Sequence, residues 1–448
     1  MASSTETSGA PSRKKVRRAQ QAGFLGTLVE AYDFFVYTYL VLYTAPLFFP
    51  ADNPTSGVLA SLLTLGAGFL ARPIGGLVFG WMGDRRGRRF TLLVTVTMMG
   101  GATLLIGLLP TYQQVGVLAP VLLVVVRLLQ GFSAGGELMG AATYVSEHSS
   151  KGNRGRLSSV TPLGFTAGTV LAPAVVALVT LLVGPASMGS WGWRVPLLLS
   201  LPLAVLCLAL RSRLDDSPEF EKLAEEQALA RTPVREVVRH HFPALIRVIL
   251  LGAVVLLSGY VVAGYVPVFL QQQAGIAPGT AATMAAVANC VGIPVVFAAG
   301  LLIDRIGKRP VMVLLLGTLT VVALPALMLI KHSGGVWILV VVAFAVLAAL
   351  ASSSSVPAYA AFTGLFPARV RYTGAAFGFG LGSALGAGFG PYLAAQLSVS
   401  TGNIYAPAFL MMGVSVIGIV VILTTPNTDA GADVPDTLAA GVDARPQP

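Results

Sequence analysis

Twelve apolar runs, each near the roughly 20 residues that a bilayer crossing demands, dominate this 448-residue chain. They cover approximately 22–48, 57–82, 90–110, 116–146, 157–184 and 192–210, then 244–271, 279–303, 310–330, 335–365, 372–398 and 404–424. Lipid offers no partner to an unpaired backbone amide, and the runs lack the two-residue alternation of a barrel strand, so each is expected to be a helix. Only 11% of residues are charged, against about 25% in a soluble domain. With a mean hydropathy of +0.78, soluble, disordered and coiled-coil folds are excluded. The first run is too long and too acidic for a cleaved secretory signal. Cys207 and Cys290 lie far apart in apolar runs, so neither a disulfide framework nor a metal or cofactor site is expected.

Basic residues fix the expected orientation. Arg13, Lys14, Lys15, Arg17 and Arg18 precede run one, Arg85, Arg86, Arg88 and Arg89 follow run two, and Lys151, Arg154 and Arg156 follow run four. Seven more lie between Arg211 and Arg247, followed by Arg305, Lys308 and Arg309, then Arg369 and Arg371. The opposite connections carry little beyond Arg194 and Lys331. This asymmetry places both termini in the cytoplasm of a multi-pass plasma- or inner-membrane protein. It also accounts for the net charge of +10 without nucleic acid. The expected organisation is a basic tail (1–20), a six-helix bundle (21–211), a central cytoplasmic segment (212–243), a second six-helix bundle (244–425) and a disordered tail (426–448).

The turn after run two reads Gly80-Trp81-Met82-Gly83-Asp84-Arg85-Arg86-Gly87-Arg88-Arg89, and the turn after run eight reads Gly300-Leu301-Leu302-Ile303-Asp304-Arg305-Ile306-Gly307-Lys308-Arg309. The two share Gly, Asp, Arg and a second Gly in one register, 220 residues apart. An inside turn needs the basic residues but not the matched Gly and Asp, so the chain is read as two parallel repeats. Two such bundles flanking a midplane site form a recurring transporter plan.

Ionisable groups within a span cost about 2.5–3.5 kcal/mol on insertion scales, so each needs a reason. Five are expected inside the membrane, all in the first half: Glu30, Asp33, Arg72, Arg127 and Glu137. At ~1.5 Å per residue, four of them fall roughly 13–18 Å from the cytoplasmic ends. That predicts one polar tier lining a cavity, with Arg72 paired to a carboxylate and Arg127 nearer the outside. No histidine lies within a span, so a transported proton must ride on Asp33, Glu137 or Glu30. Arg127 and Arg72 suit a carboxylate cargo, while the aromatic residues of run one, Tyr32 and Tyr37 among them, suit a quaternary ammonium. Organic acid and zwitterion both remain open.

The chain resembles the major facilitator superfamily, and within it the metabolite:proton symporter branch that carries citrate, 2-oxoglutarate, shikimate and proline or betaine. The matching residues are Glu30-Ala31-Tyr32-Asp33-Phe34, Arg72-Pro73-Ile74-Gly75-Gly76 and the Gly80–Arg89 turn. Further matches are Arg127 through Glu137, Trp191 through Pro196, and Ser217-Pro218-Glu219-Phe220. Ala31 departs from the pattern, which more often has Trp there. The resemblance implies an all-α fold of twelve transmembrane helices in two pseudo-symmetric bundles, and a monomeric symporter of protons and a small molecule. It also implies a cytoplasmic gate built from Gly80, Asp84, Arg85, Gly87, Arg88, Arg89, Glu147, Asp304 and Arg305. There Asp84 would face the start of a helix in the opposite half, near run eleven, and Arg88 or Arg89 would pair with Glu147.

Three alternatives carry their own sequence marks. A drug:proton antiporter should carry a glycine-proline motif in run five, where Gly168 is followed by Thr169. An osmosensing betaine or proline carrier of this branch would carry a C-terminal coiled coil, whose heptads the 425–448 tail lacks. Gly131-Phe132-Ser133-Ala134-Gly135 imitates the serine-hydrolase elbow but sits in a continuous helix without a base, so no enzyme is expected. The row Gly374, Gly378, Gly382, Gly386 and Gly390 predicts close helix packing or a sliding interface between the halves.

Overall fold

A computed structural model describes residues 13–50, 54–148, 154–226, 230, 232–276 and 278–426. The first twelve residues, the turn with Lys151, Arg231 and the tail beyond 426 lie outside the described residues. The first half contains α1 (Arg13–Phe48), α2 (Pro54–Arg86), α3 (Arg88–Leu108), α4 (Leu118–Glu147), α5 (Gly155–Val183) and α6 (Arg194–Arg211). The second contains α7 (Phe242–Gln273), α8 (Pro278–Ile306), α9 (Lys308–His332), α10 (Trp337–Gly364), α11 (Arg371–Gly386, resuming over Gly390–Thr401) and α12 (Ala406–Thr424). Leu70, Ile74, Leu105, Val125, Leu181, Val321 and Val420 are among the large apolar side chains exposed on the outer surface, as a lipid-facing girdle requires.

The repeated turn has a backbone reason for its matched glycine. Gly87 (φ 103°) and Gly307 (φ 86°) each end one helix and start the next within a single residue, in a region that side chains disfavour. Two seams join the halves. At the first, α2 meets α11, and a Cβ at Gly80 would come within 2.6 Å of the Thr373 Cα. At the second, α8 meets α5, and a Cβ at Gly300 would stand 2.8 Å from the Ser159 Cβ. The seams occupy equivalent places in the two repeats. The five-glycine row of α11 faces elsewhere: Gly378, Gly382, Gly386 and Gly390 lie against Val248, Gly252, Ala253 and Leu257 of α7, in the same half. It is a packing row, and Gly76, Gly80 and Gly380 serve the contact between the halves.

Between the halves run two short helices, Pro218–Glu225 and Pro233–His240. Ser217 starts the first, its hydroxyl accepting from the Phe220 amide (3.3 Å), with Glu219 and Glu221 at the positive end of the dipole. The second is held by Glu236, which pairs with Arg369 (2.6 Å).

Candidate functional site

The expected single tier of charge is three separate stations inside the first bundle. Nearest the basic turns, Glu137 of α4 takes both guanidinium nitrogens of Arg211, one of them at 2.9 Å, and the Thr95 hydroxyl at 2.6 Å. Arg211 also donates to the Leu92 carbonyl. The carboxylate is thus bonded on both oxygens. Arg211, which reads in sequence as the first of the central basic residues, is fully buried.

At the middle station Arg72 of α2 lies 3.3 Å from Glu30 of α1. Its guanidinium sits over the rings of Phe34 and Phe69, at 4.4 and 4.9 Å. Neither Glu30 oxygen has a hydrogen-bond partner. Arg72 Nη1 reaches the other half, donating to the Ser383 hydroxyl of α11 at 3.4 Å. The expected arginine–carboxylate pair is therefore Arg72 with Glu30.

The third station is Asp33 with Arg127. Asp33 is fully buried beside the Thr103 hydroxyl, which donates to the Met99 carbonyl and accepts from Gln130. Gln130 also donates to the Asp33 backbone carbonyl and accepts from Arg127 at 2.5 Å. Arg127 stacks 3.7 Å above the ring of Tyr37. Tyr32, in contrast, donates its hydroxyl to the Pro196 carbonyl (2.6 Å) and ties α1 to α6.

A cavity lies between the halves. Its wall comes from Phe35 of α1, Phe165, Thr166 and Thr169 of α5, Gly259 and Tyr260 of α7, Asn289 of α8, and Ser352, Ser355 and Tyr359 of α10. None of the expected charges lines it, which corrects that part of the sequence reading. Aromatic rings stand between: Tyr260 stacks on Phe35 (5.7 Å, 24°) and meets Phe69, which in turn underlies Arg72, edge to face at 5.2 Å.

At the basic end the halves are clamped together. Asp84 accepts from the Tyr372 and Thr373 amides (3.3 and 2.8 Å) at the start of α11, where its charge meets the helix dipole. Its repeat counterpart Asp304 accepts from the Gly155 and Arg156 amides (2.6 and 2.9 Å) at the start of α5. Arg88 pairs with Asp84 (2.9 Å) and Glu147 (3.2 Å). Arg371 joins Glu147 at 3.2 Å and pairs with Glu219 as well. Arg89 goes to the Ser212 carbonyl, and Arg85 turns outward over Trp81. Arg305 is exposed. The Tyr372 ring fills a slot in the first half, where a Cβ at Gly83 or Gly140 would strike it, and its hydroxyl reaches the Gly136 carbonyl.

The Major Facilitator Superfamily model matches residues 23–330 and 248–442. The chain belongs to this superfamily. Among curated relatives, a proline/betaine transporter of Escherichia coli K12 is 34% identical over 431 residues, 92% of this chain and 84% of the relative. A glycine betaine/proline/ectoine/pipecolic acid transporter of Dickeya dadantii is 34% identical over 418 residues, 90% and 82% of the two chains. Solved structures share the fold. The proton:xylose symporter XylE with a bound bromodeoxyglucose superposes at TM-score 0.78 with 16% identity, covering 95% of this chain and 99% of the other. An inward-open structure of the E. coli xylose transporter superposes at 0.67 with 17% identity and the same coverage. By family and fold the chain is a membrane transporter.

Sequence reasoning missed Arg211, Arg371, Glu219 and the whole cavity wall beyond α1. Glu137 carried the one usable signal: a carboxylate that deep requires a cation, and α6 ends in one.

Proposed function

We propose that this transporter imports a small zwitterion of the proline or betaine kind together with protons, by alternating access. The named substrates of the relatives support the cargo, and so does the cavity wall. It presents aromatic rings and neutral polar groups, which suit a molecule of zero net charge better than a di- or tricarboxylate whose charge would go unmatched. By the inside rule the basic end faces the cytoplasm, so the clamped conformation is closed to the cytoplasm.

The observation that carries the coupling is the placement of Arg72. One guanidinium nitrogen faces Glu30, another crosses to Ser383 in the opposite half, and the plane rests on the Phe69 ring that abuts the cavity-lining Tyr260. A proton on Glu30 releases Arg72 from its counter-ion and changes its hold on the opposite half. Asp33, equally buried, is the second proton-accepting group, with Arg127 as its counter-charge. Glu137, bonded on both oxygens, serves as an anchor between α3, α4 and α6.

Reconstituted vesicles under an imposed pH gradient test this. Wild-type protein should concentrate proline or glycine betaine above equilibrium. Glu30→Gln should equilibrate it by counterflow without concentrating it. Full accumulation by Glu30→Gln would remove Glu30 from the coupling step.

A further inference from the structure

The cavity between the halves has two chemically different ends. Around α1, α5 and α7 the wall is aromatic, with Phe35 stacked on Tyr260 and Phe165 edge-on to Phe35 at 6.1 Å. Around α5, α8 and α10 it is polar. Asn289 is buried in mid-span, and its carboxamide finds no partner among the described residues. The Thr166 and Ser352 side chains approach Gly292, one turn further along α8, to 3.6 and 4.0 Å of where its Cβ would stand. Both residues line the cavity. Asn289 and Thr166 are buried and Ser352 is half-buried, and all three line the cavity, so one wall gathers polar groups that a ligand supplying acceptors can engage together.

Two further features mark the spot. α7 runs through a π-helical stretch, Val261–Tyr265, directly after Tyr260, and such irregular turns concentrate at functional sites. Gly259, one residue earlier, lines the cavity, and a Cβ there would meet nothing within 4 Å. That glycine keeps space open for something other than protein.

We propose that the cargo lies across this cavity, its ammonium against Phe35, Phe165 and Tyr260 and its carboxylate on Asn289, Thr166 and Ser352, with the missing side chain of Gly259 setting the largest cargo admitted. The assignment rests on the zwitterion reading above and adds the residues that recognise it. It moves recognition from Arg127, Arg72, Tyr32 and Tyr37 to the cavity wall. A ring face attracts an alkylated ammonium, whereas a leucine of similar bulk does not. Neutral amide and hydroxyl donors bind a carboxylate without leaving a buried cation when the site empties.

The test is uptake of radiolabelled proline and glycine betaine by full-length protein in vesicles under a pH gradient. Asn289→Ala should raise KM for both cargoes about tenfold or more, the worth of a hydrogen bond to a charged group. Tyr260→Leu should raise KM for betaine more than for proline. Gly259→Leu, whose side chain enters open space, should abolish uptake of both while the protein keeps its wild-type melting temperature. Gly259→Ala should admit proline and slow the bulkier betaine, which guards against misfolding of the leucine variant. If wild type carries these cargoes and Asn289→Ala and Gly259→Leu carry them with unchanged KM, the site assignment is overturned and the transport reading stands. If wild type carries neither but concentrates a dicarboxylate, the transport reading and the site both fall.

Discussion

Glu30 and Glu137 are both fully buried carboxylates facing an arginine, and their hydrogen bonding separates their roles. Glu137 is held on both oxygens by Arg211 and Thr95, whereas Glu30 meets Arg72 at 3.3 Å through neither a good hydrogen bond nor a second partner. Removing one member of a buried, hydrogen-bonded ion pair strands the other charge, at a cost of about 3–5 kcal/mol. Glu137→Gln should therefore lower the melting temperature and the amount of protein in the membrane. Combining Glu137→Leu with Arg211→Met removes both charges and should restore much of the loss. Thermal stability in detergent, read by size-exclusion chromatography, measures both. A Glu137→Gln protein as stable as wild type but unable to concentrate cargo would make Glu137 a proton carrier after all.

At the level of elements, the short helix Pro218–Glu225 bridges the two halves. It follows α6 of the first half, yet its Glu219 pairs with Arg371 at the start of α11, and Phe220 lies 5.4 Å beneath Arg88. Two carboxylates, Glu147 and Glu219, share Arg371, while Asp84 and Arg88 complete the surrounding charge. Burial, followed by the neighbouring Glu147, pushes Glu219 above the ordinary carboxylate range despite Arg371. When the clamp opens, Glu219 returns to water and its ordinary pKa, so closure binds a proton. Closure is thus favoured as pH falls through the range above about 4.3 and loses that support as pH rises. A cysteine at Ala142, beside the crevice under the clamp, should react with a thiol reagent faster at high cytoplasmic pH than at low. Glu219→Gln should flatten that dependence. The repeated turn made part of this clamp readable, since Asp84 and Gly87 recur in register, with Lys308 standing where Arg88 does, and the inside rule set their expected side. Arg371 and Glu219 were not readable as a pair. Their meeting depends on how α11 and the central segment fold together across 152 residues, and each has a sufficient local explanation in topology or helix capping. The cavity wall was hidden for a related reason: Asn289, Thr166 and Gly259 are ordinary residues singly, and only the packing of three helices brings them to one space.

For the whole molecule, the two seams raise the question of whether the halves move as rigid bodies. Asp84 with the start of α11 and Asp304 with the start of α5 are the same contact made twice, yet they differ in surroundings. Asp84 is buried within the Arg88–Glu147–Arg371 network, whereas Asp304 is exposed. If only the charged seam opened, the α5–α8 contact would serve as a fixed hinge. If the bundles rock as units, as two packed halves with a central cavity favour, both seams must part in every cycle. Ser159 and Gly300 lie on the α5–α8 seam, close enough for a disulfide after a shift of about 1 Å toward the usual 3.8 Å Cβ separation. With Cys207 and Cys290 replaced by alanine, Ser159→Cys with Gly300→Cys should stop transport on oxidation and regain it on reduction. Each single cysteine should transport at a rate that oxidation and reduction leave unchanged. Unimpaired transport by the oxidised pair, its crosslink verified by mass spectrometry, would make that seam a hinge and leave the α2–α11 clamp as the sole gate at this end.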